Sequence, residues 1–463
     1  MEPAPLASAR DPPAATVSAP VGFTPDSPAL FCDEYALTMA QSFWRHGQNE
    51  RCVFELIVRT LPEHRGYLVA AGLEQVVWFL GALRFTPDDL AHLERRGLCE
   101  PGFLEHLRTL RFSGDLAAVP EGTVVGAETP LLQLTAPRIE ATLVEAALLA
   151  TINHQTTIAS KTARIVEAAR GRPVWDFSLR RVHGLQAGLG VARASYIGGA
   201  AGTATEIAGA KFGIPTTGTM AHHYVLRFGP DGEQQAFEQF LRDYPGRAVL
   251  LVDTYDTVRG VQRAVAAARA TDIALTGVRL DSGDLLSLSA QTRALLDAAG
   301  MRDTRVVASG DLDEYRIEEL VNAGARIDSF GVGTSLGTSS DAPALGGVYK
   351  LVAQEQAGSM QPVMKLSANK ANDPGVHQVF RHAQGDVLGL RDEQLDGVGL
   401  LGPVMLRGRL LHDPPFLEGC RSLCRTWRES LPAAIRRVAD PEPWPVARSA
   451  ALIELRRKLG AAE

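Results

Sequence analysis

From Val174 to about Thr338 the chain alternates short apolar runs with longer amphipathic stretches, and each run turns polar or glycine-rich at its C-terminal end. Six runs read VWDFSLRR from Val174, GIPTTGTMAHH from Gly213, VLLVDTYD from Val249, LTGVRLDSGD from Leu275, RVVASGDL from Arg305 and DSFGVGTS from Asp328. They begin about 25 to 40 residues apart, which leaves room for one crossover helix between most of them. In a parallel α/β barrel the C-terminal strand ends face one mouth, and active-site residues gather there. The pattern therefore predicts both an α/β barrel and the place of its chemistry.

The flanking segments predict other elements. Cys32–Gly47 reads as a helix with Asp33 as its cap, and Tyr35, Met39 and Phe43 recur at helical spacing. Val53–Arg59 reads as a strand, Gly66–Leu93 as helical with a break near Phe85–Pro87, and Arg111–Leu134 as β-rich. Glu140–Ala169 is a long helical stretch, expected to be interrupted or bent at Asn153–His154. Gly346–Val352 and Met364–Leu366 are strand-like, and Pro415–Leu459 reads as helical. The expected fold class is α/β: an irregular TIM-like α/β barrel with an N-terminal α+β domain and a smaller C-terminal domain. Its parts are a disordered tail over 1–26, an α+β domain over 27–150 completed by strands from 346–410, the catalytic barrel over 151–345 and a C-terminal region over 346–463.

Composition narrows the class. At 463 residues the chain is too long for one small core. A net charge of −6 supplies no global basic field, which disfavours nucleic acid as a main partner. Five scattered cysteines form no disulfide framework and suit a reducing cytoplasm. Cys420 and Cys424, four apart, read as buried thiols, since a zinc site would need two further ligands nearby. No segment reaches the apolar length of a membrane span; the best candidate, Ala141–Ile152, is short and carries Glu145. The first 26 residues are rich in Ala and Pro and do not read as a secretion signal. Only 6 of the 47 basic residues are lysines, and Lys350, Lys365 and Lys370 lie close together, either as a phosphate site or as a solvated surface.

The strand ends carry the candidate chemistry. Arg279 and Asp281 are two apart on a strand and share a face, either as a structural ion pair or as a ligand site. Asp284, just beyond, favours function. Asp253 follows a buried strand, where a carboxylate can hold sugar hydroxyls or a magnesium–phosphate cluster. Gly310-Asp311 and Gly331-Val332-Gly333-Thr334 end the last two runs and let backbone N–H groups approach an anion, unless they are simple tight turns. His222 and His223 follow Gly218-Thr219-Met220-Ala221, and at most one of them is central. Phe177 beside Arg180 and Arg181 suits a flat anionic ring, or else a core phenylalanine beside a surface pair.

Taken in order, DFSLRRVHG, GTMAHH, VDTYDT, GVRLDSGDL, DSFGVGTSLGTSSDAPALGGVYKLV and MKLSANKANDPG resemble the nicotinate phosphoribosyltransferases, from about Asp33 to Arg381. That resemblance implies an ATP-coupled enzyme of NAD salvage, which joins nicotinate to 5-phosphoribosyl 1-diphosphate and releases nicotinate mononucleotide and diphosphate. It implies Mg2+ as cofactor, with no metal ligand set assigned, ATP as co-substrate and a homodimer with shared sites. It implies Phe177 against the pyridine ring, Arg180 and Arg279 at carboxylate and phosphate groups, and Asp253 and Asp281 near the ribose and the magnesium. Gly310, Asp311, Gly331, Gly333 and Thr334 would cradle the phosphoribosyl end. His222 matches the histidine that the family phosphorylates, with Thr219 close by, and Tyr35 matches a tyrosine that enters the neighbouring subunit's site. Nicotinamide enzymes share the fold, but they read DFGYRG where this chain has DFSLRR and place an Asp where it has Gly202-Thr203-Ala204. Gly198-Gly199-Ala200-Ala201 departs from the GGFD of many nicotinate enzymes, which bears on a wall of the ring site. The other readings are a Schiff-base lyase using Lys365 and a non-catalytic homologue.

Overall fold

The computed structural model describes residues 28–366, 372–413 and 415–460; the expected tail 1–26 and Lys370 lie outside the described residues. Six parallel strands form the barrel sheet, in the order Gly202–Thr203, Val174–Asp176, Ser329–Val332, Arg305–Ala308, Gly277–Leu280, Val249–Leu251. Gly277–Leu280 and Ser329–Val332 are buried at every position, as strands with a filled interior on one face and helices on the other must be. Their outer side chains pack against Val261, Ala264, Leu296, Ile317 and Leu320 of the crossover helices in one continuous core.

Five of the six expected runs contain a strand. The run from Gly213 does not, and Gly202–Thr203 takes the position beside Val174–Asp176. The 213–221 segment makes a single bridge, Thr203 with Thr216. Pro215 has no N–H to extend a ladder, so its carbonyl accepts from Thr203 at 3.0 Å and the pairing stops after Thr217. The segment still runs across the barrel, because Thr219 and the Met220 carbonyl accept from Arg279 of Gly277–Leu280.

Three successive crossover helices begin on an aspartate cap. Asp256 accepts from the Arg259 N–H, Asp284 from Leu286 and Ser287, and Asp313 from Arg316. Asp284, expected to favour function, is thus engaged in ending its loop. At the first helix, Glu34–Arg45, Asp33 occupies the cap position but makes no capping bond with its side chain.

Before the barrel, the helix Glu145–Ala168 runs straight through Asn153 and His154; the break falls at Val144 instead. Each of these side chains lies over a glycine, Asn153 against Gly347 and His154 against Gly190, and the helix continues past both without interruption. A seven-stranded sheet flanks the barrel. In it Arg51–Val58 pairs antiparallel with both Pro130–Pro137 and Gly347–Gln356. Met364–Leu366 is not a strand; Ser359–Pro362 pairs there instead. The C-terminal stretch is not wholly helical. Val446–Arg448 lies between the helices Leu417–Ser430 and Ala450–Lys458 and adds parallel to Gly385–Leu390. Cys420 and Cys424 are buried on Leu417–Ser430, and burial pushes their thiols up to about 12 and about 11.

Candidate active site at the strand C-termini

Arg279 is 8% exposed and spends its whole guanidinium on the mouth. Nη2 meets Asp281 Oδ1 at 2.6 Å, Nε donates to Ser309 Oγ at 2.7 Å, and Nη1 donates to Thr219 Oγ1 at 3.0 Å. The same group stands 5.7 Å from the centre of the Phe177 ring. Phe177 is carried just past Val174–Asp176, and its N–H donates to the Val332 carbonyl at 2.9 Å. Its ring lies against Gly331, where a Cβ would come within 2.3 Å of it, so only glycine leaves room for the ring there.

The carboxylates follow from the next strands. Asp281 would be raised by burial, but the Ser309 hydroxyl, Arg279 and His222 together hold its carboxyl below the usual carboxylate range. Asp253 Oδ2 accepts from the Asp281 N–H at 3.0 Å and from Ser282 Oγ at 2.6 Å. Its other oxygen, Oδ1, is buried with no hydrogen-bond partner among the described residues. His222 Nδ1 lies 3.2 Å from Thr254 Oγ1 and Nε2 lies 3.7 Å from Asp281 Oδ2. Its ring is 43% exposed and so remains reachable from the mouth, whereas His223 has no part in these contacts.

The glycine loops crowd the same floor. Gly310 has φ +88°, and a Cβ there would fall 1.8 Å from the Asp281 carbonyl oxygen. Asp311 follows at φ +44° and is exposed, as is Thr334. Gly333 differs from Gly331, since a Cβ there would sit at ordinary contact, 3.5 Å from the Phe177 carbonyl.

The structure thus joins Phe177, Thr219, His222, Asp253, Arg279, Asp281, Gly310 and Gly331 by direct contacts. Asp311, Gly333 and Thr334 follow on the same loops, and two further expected residues stand apart. Arg180 is exposed on the short helix Leu179–Arg181 and makes no hydrogen bond or ion pair among the described residues. Tyr35 is 48% exposed and lies beside Glu145, at the start of the helix leading into the barrel; burial and that carboxylate push its phenol up to about 12. Lys365 is exposed beyond Ser359–Pro362 and outside the barrel strands, a poor setting for a Schiff base, which needs a desolvated amine.

Two participants escaped the reading of the chain. Ser309 is 2% exposed and bridges Arg279 to Asp281, donating to Asp281 Oδ1 at 2.5 Å. A lone hydroxyl before a glycine gives little signal. Asp176 is fully buried and accepts from the Ser178 N–H at 2.9 Å and Thr203 Oγ1 at 2.7 Å, binding two neighbouring strand ends together. Behind the mouth, Lys161 meets Glu314 at 2.6 Å and Asp341 at 2.7 Å, and Arg65 meets Asp341 at 2.7 Å. This buried network ties the loops after the last two strands to the long helix. Gly198–Ala201 lies at the N-terminal side of the strands, where the Ala201 N–H donates to the Val174 carbonyl, so it does not wall the mouth.

Two family models match the chain: the nicotinate phosphoribosyltransferase (NAPRTase) N-terminal domain over residues 30–153, and the NAPRTase family over 173–385. The chain is 47% identical over 420 residues to nicotinate phosphoribosyltransferase pncB2 of Mycobacterium tuberculosis, covering 89% of each chain. It is 42% identical over 388 residues to the nicotinate phosphoribosyltransferase of Bacillus subtilis, covering 81% of this chain and 79% of the other. The crystal structure of human nicotinic acid phosphoribosyltransferase superimposes with a TM-score of 0.81 at 27% identity, over 92% of this chain and 99% of that one.

Proposed function

The chain belongs to the nicotinate phosphoribosyltransferase family, and from that premise we propose that its barrel mouth joins nicotinate to 5-phosphoribosyl 1-diphosphate, coupled to ATP, in NAD salvage. The observation that carries this reading is Arg279, a locked guanidinium 5.7 Å from the Phe177 ring. A flat ring resting on Phe177 would meet fixed positive charge beside it, the arrangement an aromatic carboxylate needs. Arg180, exposed nearby in sequence, is assigned a second contact with substrate anions.

The pyridine nitrogen displaces diphosphate from C1 of ribose. That nitrogen carries no proton, so no general base is required. The protein positions the ring, holds the leaving group's charge and excludes water. Asp253 and Asp281 are assigned to the ribose side, and Gly310, Asp311, Gly331, Gly333 and Thr334 to the phosphoribosyl end through their backbone N–H groups.

Mg2+ fits this site through Asp253, whose buried Oδ1 lacks a partner. Among the described residues no group of three or more His, Cys, Asp and Glu stands ready as a cage, so the ion would arrive mainly on diphosphate oxygens. When bound it supplies positive charge to the departing diphosphate. His222 is assigned as the acceptor of the ATP γ-phosphoryl group. With its proton on Nδ1, toward Thr254, Nε2 presents a lone pair that forms the N–P bond as ADP departs.

A homodimer with shared sites completes the proposal. Tyr35, Phe31 and Met39 are 48%, 50% and 39% exposed at and beside the first helix, an apolar face that a two-fold contact would cover. Tyr35 then closes the partner's ring site from the side opposite Phe177. No helix among the described residues is long and apolar enough to cross a membrane. All five cysteines are free thiols, which supports a reducing, cytoplasmic setting.

The test compares nicotinate, nicotinamide and quinolinate, with and without ATP. Nicotinate should exceed nicotinamide in kcat/KM by well over about tenfold, because a buried charge left unpaired costs on the order of 2–5 kcal/mol. Comparable values for the two bases would defeat the assignment of Arg279.

A further inference from the structure

At the other end of the barrel strands from the mouth, six arginines converge on one cavity of about 450 Å³. Its walls are the end of Glu145–Ala168, the start of Val174–Asp176, the Gly198–Ala201 turn and the helix Leu417–Ser430. Arg170, Arg172, Arg421, Arg425, Arg428 and Arg436 line it with two carboxylates, Glu167 and Glu429, and Glu418 pairs with Arg421 at 3.2 Å from just outside, which leaves an excess of three positive charges. Glu167 is already engaged, 2.5 Å from Arg436 and 3.7 Å from Arg428. So many like charges facing one concave space repel each other unless an anion sits among them.

Arg428 makes the case specific. It is 8% exposed, one Nη donates to the Ala163 carbonyl at 3.0 Å, and its buried Nε has no partner among the described residues. That Nε is closed off from the open space, so an anion in the cavity would engage the outer nitrogens of the guanidinium. Arg170 and Arg425 are exposed at the rim, and their side chains make no hydrogen bond or salt bridge among the described residues. Arg421 is held in place by the Ala200 carbonyl, 3.1 Å from its Nε, and by the Tyr196 ring, 4.9 Å from its guanidinium. Gly198, Gly199 and Ala201 form one wall; a Cβ at Gly198 would strike the Ala159 carbonyl at 2.4 Å, so glycine there lets the turn approach the long helix, while Gly199 faces Val166. The stretch that departs from the GGFD pattern therefore shapes this cavity.

We propose that this cavity at the foot of the barrel is a binding site for a phosphate-bearing anion, separate from the mouth. Planar guanidinium forks match phosphate oxygens two at a time, and the volume admits anything from inorganic phosphate to a nucleotide. The bound anion bridges the long helix, the barrel strand and the C-terminal helix, so it stabilises the seat of that helix by mass action.

The test is calorimetric titration of the full chain with inorganic phosphate, diphosphate and ATP in turn, using wild type and the Arg170→Glu/Arg425→Glu double variant. Both positions are exposed and lie outside the mouth, so without added anion the variant should keep its kcat/KM and, relieved of like-charge repulsion, melt no lower than wild type. A milder Arg170→Ala/Arg425→Ala pair covers the chance that charge reversal unsettles the fold. The mouth is intact in every protein compared, so it contributes equally throughout. Wild type should show one binding event more than the variants for at least one probe, or the same event weakened by at least about tenfold. The probe with the largest difference names the source of the phosphate group. Superimposable isotherms for all three probes in wild type and both variants would overturn the proposal.

Discussion

Ser309→Ala isolates one hydroxyl in the floor of the mouth. Ser309 has a single proton and donates it to Asp281 Oδ1 at 2.5 Å, while its lone pair accepts from Arg279 Nε at 2.7 Å. Both partners are charged, and hydrogen bonds to charged groups contribute about 1.5–3 kcal/mol each. The direct Arg279–Asp281 contact at 2.6 Å survives the substitution, so part of this is retained. A net loss of about 2–3 kcal/mol at the transition state lowers kcat/KM roughly 30- to 150-fold, since about 1.4 kcal/mol is tenfold. The pH dependence gives a second readout. Ser309 leads the groups that depress Asp281 against the raising effect of burial, so its removal lifts the Asp281 pKa. A depressed carboxylate contributes stability that is fully present above its unfolded value and is lost as pH falls through the folded value. In the variant both the acid limb of kcat/KM and the acid unfolding midpoint should therefore move to higher pH. The assay is initial rates with nicotinate and 5-phosphoribosyl 1-diphosphate across the acid limb, beside acid-unfolding curves of both proteins. Wild-type rates with an unmoved acid limb would refute the coupling of Ser309 to Asp281.

Gly310→Ala should lose activity by at least about tenfold and melt several degrees lower, because a left-handed φ costs about 1–2 kcal/mol for an L-residue and the new Cβ would displace the Asp281 carbonyl; wild-type melting and rate would show that the loop yields freely. His222→Asn should incorporate no acid-labile phosphate from ATP yet keep some ATP-independent transfer; labelled phosphohistidine in the variant would move the phosphoryl acceptor elsewhere. Mixing Tyr35→Ala with His222→Ala protein, each lacking the ATP-coupled rate, should restore part of that ATP-coupled activity as subunits exchange, since a mixed dimer regains one intact site. No recovery despite verified exchange would mean that Tyr35 serves its own helix.

The chemistry of the mouth is legible along the chain for a simple geometric reason. Residues two apart on a strand share a face, and strand ends in a parallel barrel share a mouth, so Arg279 with Asp281, Asp253 and Phe177 announce themselves by local position. The spacing of the runs also leaves room for the crossover helices, although the aspartates that open three of them are not legible as caps. What local order leaves ambiguous is how neighbouring acids divide their roles. Asp281 and Asp284 are three residues apart, yet one faces Arg279 and the other caps a helix.

Other features depend on pairings between distant parts of the chain. The bland Gly202–Thr203 holds a barrel position while the more suggestive run from Gly213 does not, because a ladder depends on the N–H groups available at Pro215 and its neighbours. Ser309 acquires its role only when the strand Arg305–Ala308 pairs with Gly277–Leu280 and sets its hydroxyl between Arg279 and Asp281. The arginines of the foot cavity come from segments as far apart as Arg170 and Arg436, and nothing in either segment foretells the other. Periodicity and strand-end chemistry are properties of neighbours along the chain and survive in the bare sequence. Contacts across hundreds of residues exist only once the apolar core has closed and brought those segments together.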